Sequence, residues 1–224
     1  LTAFVHAGDN ELTVQARDDR EASQLSRGKQ SSRRGGIWYT PQSGIWQTVW
    51  YEWVPENYVK AIRYTPDLIT NQLLYQVQAK QPAGAIVRLS LHGQPVAESA
   101  ADEKGFGALA IPAETLRLWS PESPTLYDVD VTLGEDRVTS YAAMRSFGVG
   151  EDEDGTPRLL LNGKPYYQNG VLDQGYWPDG LYTAPSDEAM VYDIQLMRDM
   201  GFNMLRKHIK IEPMRWYYHC DRLG

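Results

Sequence analysis

The sequence predicts a mainly β chain: an immunoglobulin-like β-sandwich, with the end of another sandwich before it and the start of a (β/α)8 barrel after it. Residues 57–149 alternate short apolar strands with frequent turn signals, the pattern of an antiparallel sandwich. Residues 1–56 hold two strand-like runs, too few for a domain. Residues 150–224 change to strand, helix, strand and helix, the order of parallel βαβ units. These three ranges are the predicted domains.

Composition limits the functions that the chain can have. It has 224 residues and a formal charge of −7, which argues against binding to nucleic acid or to an anionic membrane. No apolar run approaches the roughly 20 residues of a membrane span. The single cysteine, Cys220, excludes an internal disulfide and a multi-cysteine metal site. His6, His92 and His219 lack metal-ligand spacing, so we expect no metal and no cofactor.

The first domain is predicted from two strands and the loop between them. Residues 11–17 alternate with period two, and residues 45–54 are rich in aromatic and β-branched residues. Residues 27–36 are basic and rich in Gly and Ser, but they lack phosphate-loop spacing in an acidic chain. We therefore expect a solvated or interdomain loop there. The chain begins at Leu1 with such a pattern already under way, so we expect it to be an excised segment.

The second domain is predicted to contain about seven short strands. Turn residues separate them, for example His92-Gly93-Gln94-Pro95, and a rigid Pro-rich connector covers residues 118–124. The strands that can be placed cover residues 59–64, 73–79, 85–91, 107–111, 127–133 and 138–149.

The third domain begins with a strand pair, residues 158–167, around the turn Asn162-Gly163, and a short buried strand at residues 170–173. Ser186 is a predicted helix N-cap, and Gly201 marks the end of that helix. A strand at 202–206 follows, and Pro213 fits the first position of a second helix. The predicted apolar faces are Met190, Ile194 and Met197 on the first helix, and Trp216, Cys220 and Leu223 on the second.

The order of these parts resembles glycoside hydrolase family 2, which includes β-galactosidases, β-glucuronidases and β-mannosidases. The resemblance rests on motifs in the family's order, and it spans almost the whole chain. The motifs are Ser43-Gly44-Ile45-Trp46-Gln47-Thr48-Val49-Trp50, Leu118-Trp119-Ser120-Pro121, Leu161-Asn162-Gly163-Lys164-Pro165, Asn169-Gly170-Val171, Asn203-Met204-Leu205-Arg206 and Cys220-Asp221-Arg222-Leu223-Gly224. The resemblance implies that residues 1–56 end a sugar-binding jelly roll and that residues 150–224 open a barrel.

The resemblance also implies a parent protein that cleaves O-glycosidic bonds of β-linked sugars with retention of configuration. That chemistry uses two carboxyl groups, and in the family both are glutamates on later barrel strands. No such pair is recognisable here, and Glu212 is expected to cap a helix. We therefore assign no catalytic residue to this chain and expect it to be inactive alone. A non-catalytic carbohydrate- or protein-binding sandwich module stays open as the alternative.

Arg206 is the strongest candidate for active-site support. Its guanidinium stands at the end of a barrel strand, where it can hold a carboxylate in its ionised form; a structural salt bridge is the alternative. His208 can bind a sugar hydroxyl or simply pack. It follows Arg206 by two positions, where the family typically has three. Lys207 directly follows Arg206, so its side chain should point to the opposite face of the strand, where we expect it to have a structural role.

Further candidates follow the first barrel strand. Asp173 and Gln174 would lie on the catalytic face and bind substrate hydroxyls, with loop capping as the alternative. Trp177, after Tyr176, can stack on a sugar or pack in the core. The expected partner of the full-length protein is a carbohydrate, and a homo-oligomer stays open. The compartment also stays open between bacterial periplasm or secretion and cytoplasm.

Overall fold

Besides a single 3-10 turn at Arg20–Ala22, fourteen α-helices and strands can be assigned in the computed structural model, which describes residues 2–22, 24 and 26–224. Twelve of them are strands, and no helix of this part of the chain could span a membrane. The elements are β1 (Ala61–Asp67), β2 (Gln72–Gln78), β3 (Ile86–Leu91), β4 (Gln94–Ala100), β5 (Phe106–Ala110), β6 (Tyr127–Leu133), β7 (Asp136–Ala142), β8 (Phe147–Glu151), β9 (Pro157–Leu161), β10 (Lys164–Pro165), β11 (Gly170–Asp173), α1 (Asp187–Asp199), β12 (Met204–Lys207) and α2 (Met214–Leu223).

Two antiparallel sheets form the central sandwich, in the orders β1-β2-β5 and β4-β3-β6-β7. Alternate residues of each strand point inward, so in β6 every second side chain, from Tyr127 to Leu133, is buried. The inner faces of both sheets meet in one apolar core that includes Leu73, Val87, Leu109 and Val131. The predicted sandwich is thus confirmed.

The sequence prediction missed β4 and merged β7 with β8. β4 lies at a sheet edge, the place where a strand tolerates a proline such as Pro95. Its turn, His92-Gly93, has positive φ at both residues, as a tight hairpin requires. Residues 138–149 do not form one strand, because β7 pairs with β6 in the sandwich and β8 pairs with β9 in a different sheet.

The strands predicted at residues 11–17 and 45–54 are absent from the structure. Neither segment has a ladder partner among the described residues. Trp50, Tyr51 and Trp53 are consequently more than 70% exposed, at 72%, 77% and 76%. An alternating sequence marks the faces of a strand, but a neighbouring strand must supply the hydrogen bonds. The end of a jelly roll therefore stays a prediction for residues 1–56.

One parallel βαβ unit follows the sandwich: β11 pairs with β12, and α1 connects them. Ser186 caps α1 as predicted, and Gly201 lies beyond its end at φ 86°. The hairpin β9–β10 turns at Asn162-Gly163, also as predicted. Pro213, predicted at the first helical position, lies one residue earlier, at the N-cap of α2. The helices pack through a second apolar cluster of Met190, Ile194 and Trp216, against which Leu205 of β12 also packs.

A buried hydroxyl ties the start of β6 to the chain that enters it. The Tyr127 hydroxyl accepts a hydrogen bond from the Arg117 backbone N–H at 2.6 Å and donates to the Thr115 carbonyl at 2.8 Å. The Tyr127 side chain is 0% exposed, so water cannot replace the hydroxyl if it is removed. This is the arrangement called a tyrosine corner in immunoglobulin-type sandwiches.

We predict that Tyr127→Phe lowers the free energy of unfolding by about 1–3 kcal/mol, because it leaves the Arg117 N–H and the Thr115 carbonyl without their hydroxyl partner beside a fully buried ring. Urea denaturation followed by tryptophan fluorescence would measure the change. Tyr58→Phe is the matched control, since its half-buried ring makes no hydrogen bond through the hydroxyl to any described residue. Equal effects of the two substitutions would contradict the assigned role of Tyr127.

Candidate functional site at the ends of the parallel strands

The strand pair β11–β12 has a helix side and an open side. Leu205 faces the helices, and Lys207, two residues on, lies on the same side with its ammonium group 4.1 Å from the centre of the Trp216 ring. Arg206 alternates with them and is exposed, next to Leu172 of β11, which is 54% exposed. Among the described residues Arg206 has no ion pair and no side-chain hydrogen bond. We call this surface, carrying Leu172 and Arg206, the open face.

A chain of hydrogen bonds lies just beyond the open face, where both strands end. The Tyr39 hydroxyl donates to Gln174 Oε1 at 2.6 Å, and Gln174 Nε2 lies 3.0 Å from His208 Nδ1. The Tyr39 ring stacks on the Tyr176 ring, with centroids 4.2 Å apart. The backbone N–H of His208 donates to the Asp173 carbonyl at 2.8 Å. Two predicted site residues, Gln174 and His208, are therefore in direct contact.

Tyr39 was missed by sequence reasoning, because its partner Gln174 is 135 residues away and no local pattern marks the pair. The N-terminal segment makes further contacts with the loop after β11. Gln42 Oε1 accepts from the Tyr182 backbone N–H at 2.8 Å. Gly28, in the basic loop, lies so close to the Tyr182 ring that a β-carbon there would come within 2.7 Å of it. The basic loop thus contacts the loop after β11 through Gly28.

A cluster of four charged groups occupies the helix side at the same strand ends. Lys207 Nζ lies 2.5 Å from Asp173 Oδ2 and 2.8 Å from Glu212 Oε1. Lys210 Nζ lies 3.2 Å from Glu212 Oε2 and donates to the carbonyls of Gly175 and Tyr182 at 2.6 Å each. The side chains of Lys210 and Glu212 are 0% and 2% exposed. Burial lowers the pKa of Lys210, and the neighbouring Glu212 carboxylate opposes that shift.

Glu212 was expected to cap a helix, and that expectation is wrong. Pro213 is the N-cap of α2, and no side chain caps the helix there. The Glu212 carboxylate instead points to two lysines, because two cations buried at one place require a countercharge. Its backbone N–H donates to the Tyr217 hydroxyl at 3.1 Å.

Asp173 and Trp177, the remaining predicted site residues, also lie on the helix side. The Asp173 carboxylate binds Lys207 and accepts the Gly175 backbone N–H at 2.8 Å. The Trp177 ring packs against the cluster of Met190, Ile194 and Trp216. Among the described residues, no three His, Cys, Asp or Glu side chains converge as a metal site would require.

Comparison with known proteins agrees with this architecture. The profile described as "Glycosyl hydrolases family 2" matches residues 57–149. A β-galactosidase of Klebsiella pneumoniae (strain 342) is 31% identical over 100% of this chain and 23% of its own length. A β-galactosidase of Lactococcus lactis subsp. lactis (strain IL1403) is 28% identical over 81% of this chain and 18% of its own length. The chain thus spans about a fifth to a quarter of these curated relatives.

Solved structures give the same result. The β-glucuronidase of Faecalibacterium prausnitzii superposes with a TM-score of 0.66 at 25% identity, over 76% of this chain and 27% of the other. A β-D-glucuronidase of Dictyoglomus thermophilum has a TM-score of 0.66 at 21% identity, over 76% of this chain and 28% of the other, and it supports the fold alone. The profile match to residues 57–149, the relatives and the shared fold support an internal segment of glycoside hydrolase family 2.

Proposed function

We propose that this chain is a segment of a retaining β-glycosidase, in which residues 150–224 open a (β/α)8 catalytic barrel and residues 1–56 end a sugar-binding jelly roll. The names of the relatives, β-galactosidase and β-glucuronidase, support an enzyme that cleaves O-glycosidic bonds of β-linked sugars. The observation that carries the proposal is the position of Arg206, His208 and Gln174. They stand at or just beyond the carboxyl ends of two neighbouring parallel strands, where barrels of this type bind substrate.

Arg206 has the chemistry to support a nucleophile. A retaining glycosidase needs two carboxyl groups about 5–5.5 Å apart, one of which must be ionised to attack the sugar. The fork of donors on an arginine can bind such a carboxylate and lower its pKa. Because Arg206 lies on the open face without a partner among the described residues, it is free to do this.

His208 is oriented by its neighbours. The Tyr39 hydroxyl donates to the oxygen of the Gln174 amide, so the amide nitrogen is left to face the ring. In the tautomer that accepts this amide N–H at Nδ1, His208 carries its proton on Nε2. His208 Nε2–H is therefore available as a donor to a hydroxyl of the sugar.

We predict that the 224-residue chain alone hydrolyses no chromogenic β-galactoside, β-glucuronide or β-mannoside above the rate of the buffer. Glu212 is bound by two lysines. Burial raises the pKa of Asp193, but this carboxyl lies on α1, near Asp173 and Lys207. Both carboxyl groups have partners on the helix side, and Arg206 lies on the open face. Turnover that survives purification and is retained by Arg206→Met would refute both the predicted inactivity and the role of Arg206.

The gene sequence beyond the Gly224 codon tests the proposal itself. A reading frame that continues with barrel strands and two glutamates at their carboxyl ends supports a glycosidase, whereas an unrelated domain there favours the non-catalytic binding module. In the longer protein, Arg206→Met should lower kcat/KM about 10²-fold, the cost typical of a misplaced reacting group. The control is Arg215→Met, an exposed arginine of α2, which should leave the rate unchanged. A rate unaffected by Arg206→Met would contradict the role given to Arg206.

The charge cluster would keep the two loops of this site together. Glu212→Gln should lower the free energy of unfolding by about 3–5 kcal/mol, because Lys210 then stays buried without its countercharge. Urea denaturation of the chain measures this loss. Glu98→Gln is the control: it breaks an exposed pair with Arg88 at 2.6 Å, and such pairs contribute little. Similar losses in the two variants would show that the cluster is not a buried network.

A further inference from the structure

Asp221, in the last turn of α2, makes the polar contacts that bind this helix to the sandwich. Its Oδ1 lies 2.8 Å from Arg145 Nη1, and its Oδ2 accepts the Tyr141 hydroxyl at 3.0 Å. Its backbone carbonyl accepts the Trp119 indole N–H at 2.6 Å. Tyr141 belongs to β7, Arg145 follows β7, and Trp119 lies in the Pro-rich connector before β6. Three donors from the sandwich therefore converge on one residue of the helix.

This contact is largely shielded from water. The side chains of Arg145 and Asp221 are 23% and 19% exposed, and the Arg145 guanidinium lies 4.4 Å from the centre of the Trp119 ring. Burial raises the pKa of Tyr141, and the Asp221 carboxylate raises it further, so the hydroxyl keeps its proton and donates. A paired, partly buried charge with hydrogen bonds to both oxygens contributes more than an exposed pair.

Trp119 also joins the connector to the hairpin β9–β10. Its backbone N–H donates to the Met144 carbonyl at 2.9 Å, and its carbonyl accepts from Asn162 Nδ2 at 3.0 Å. At the end of α2, Gly224 has φ 83°, and a β-carbon there would meet the Pro121 carbonyl oxygen at 2.1 Å. Only glycine fits so close to the connector.

We propose that Asp221 is a positioning residue: with Arg145, Tyr141 and Trp119 it forms a latch that fixes α2, and with it the turn carrying His208, to the sandwich. Two motifs 102 residues apart in the sequence, one in the connector and one at the end of α2, thus have a shared structural role. α2 carries Trp216 beneath Lys207, so the docking of α2 also sets the position of the strand ends. The latch does not depend on the proposed glycosidase activity.

Hydrogen–deuterium exchange of the 224-residue chain tests the latch. Asp221→Asn keeps the shape of the side chain but removes its charge, and it should lower the protection of amides in α2 and in residues 208–213 at least tenfold. Protection in β2, β3 and β6 should stay unchanged. Asp130→Asn is the matched control, since it breaks a 3.1 Å pair with Arg137 that lies wholly within the sandwich. Unchanged protection in α2, or a uniform loss across the chain, would overturn the proposal.

Exchanging the charges of Arg145 and Asp221 tests whether the loss of protection comes from this pair or from general destabilisation of the chain. Arg145→Met should also lower the protection of α2, and the double variant should lose less than the sum of the two single variants, because both single variants remove the Arg145–Asp221 pair. Arg145→Asp combined with Asp221→Arg should recover at least part of the protection. Additive effects of the two single variants, with no recovery on exchange, would refute a direct role for the pair. If Asp221→Asn does not fold, Arg145→Met and the exchanged pair still decide the question.

Discussion

Complete burial of the Lys210 ammonium group is the constraint on which the geometry of the candidate site depends. A buried cation requires a countercharge and hydrogen-bond acceptors, and Lys210 obtains them from Glu212 and from the carbonyls of Gly175 and Tyr182. Two of these partners lie in the loop after β11, and Glu212 lies in the turn after β12. A single side chain therefore fixes two loops against each other, and the residues that they carry keep their relative positions.

The same constraint accounts for an unusual backbone conformation at Ile209. This β-branched residue has φ 63°, a left-handed conformation that costs about 1–3 kcal/mol and is rare for its type. Simple alternation would place Lys210 on the open face with Arg206 and His208. The left-handed turn at Ile209 redirects the chain, so that Lys210 reaches the helix side while His208 stays beside Gln174. The strain at Ile209 is thus offset by the charge cluster that it makes possible.

Local sequence patterns were sufficient to predict the sandwich and the βαβ unit. Strand alternation, the apolar faces of helices, Asn-Gly turns and glycines at helix ends are all properties of short segments. These patterns gave a wrong prediction, or none, where a residue's role depends on a partner far away in the sequence. Residues 45–54 have the composition of a strand but no partner strand among the described residues. Glu212 has the position of a helix cap, but its carboxylate pairs with two lysines. No spacing rule connects Tyr39 with Gln174, or Trp119 with Asp221, across more than a hundred residues.

The unequal distribution of charge over the two faces constrains the chemistry of the proposed active site. On the helix side every member of the cluster is paired, whereas the Arg206 guanidinium on the open face has no partner among the described residues. A carboxyl group brought beside Arg206 would have its pKa lowered, which suits a nucleophile and disfavours a general acid. The proton donor of a retaining mechanism must therefore stand away from Arg206, in a less polar part of the site, about 5–5.5 Å from the nucleophile.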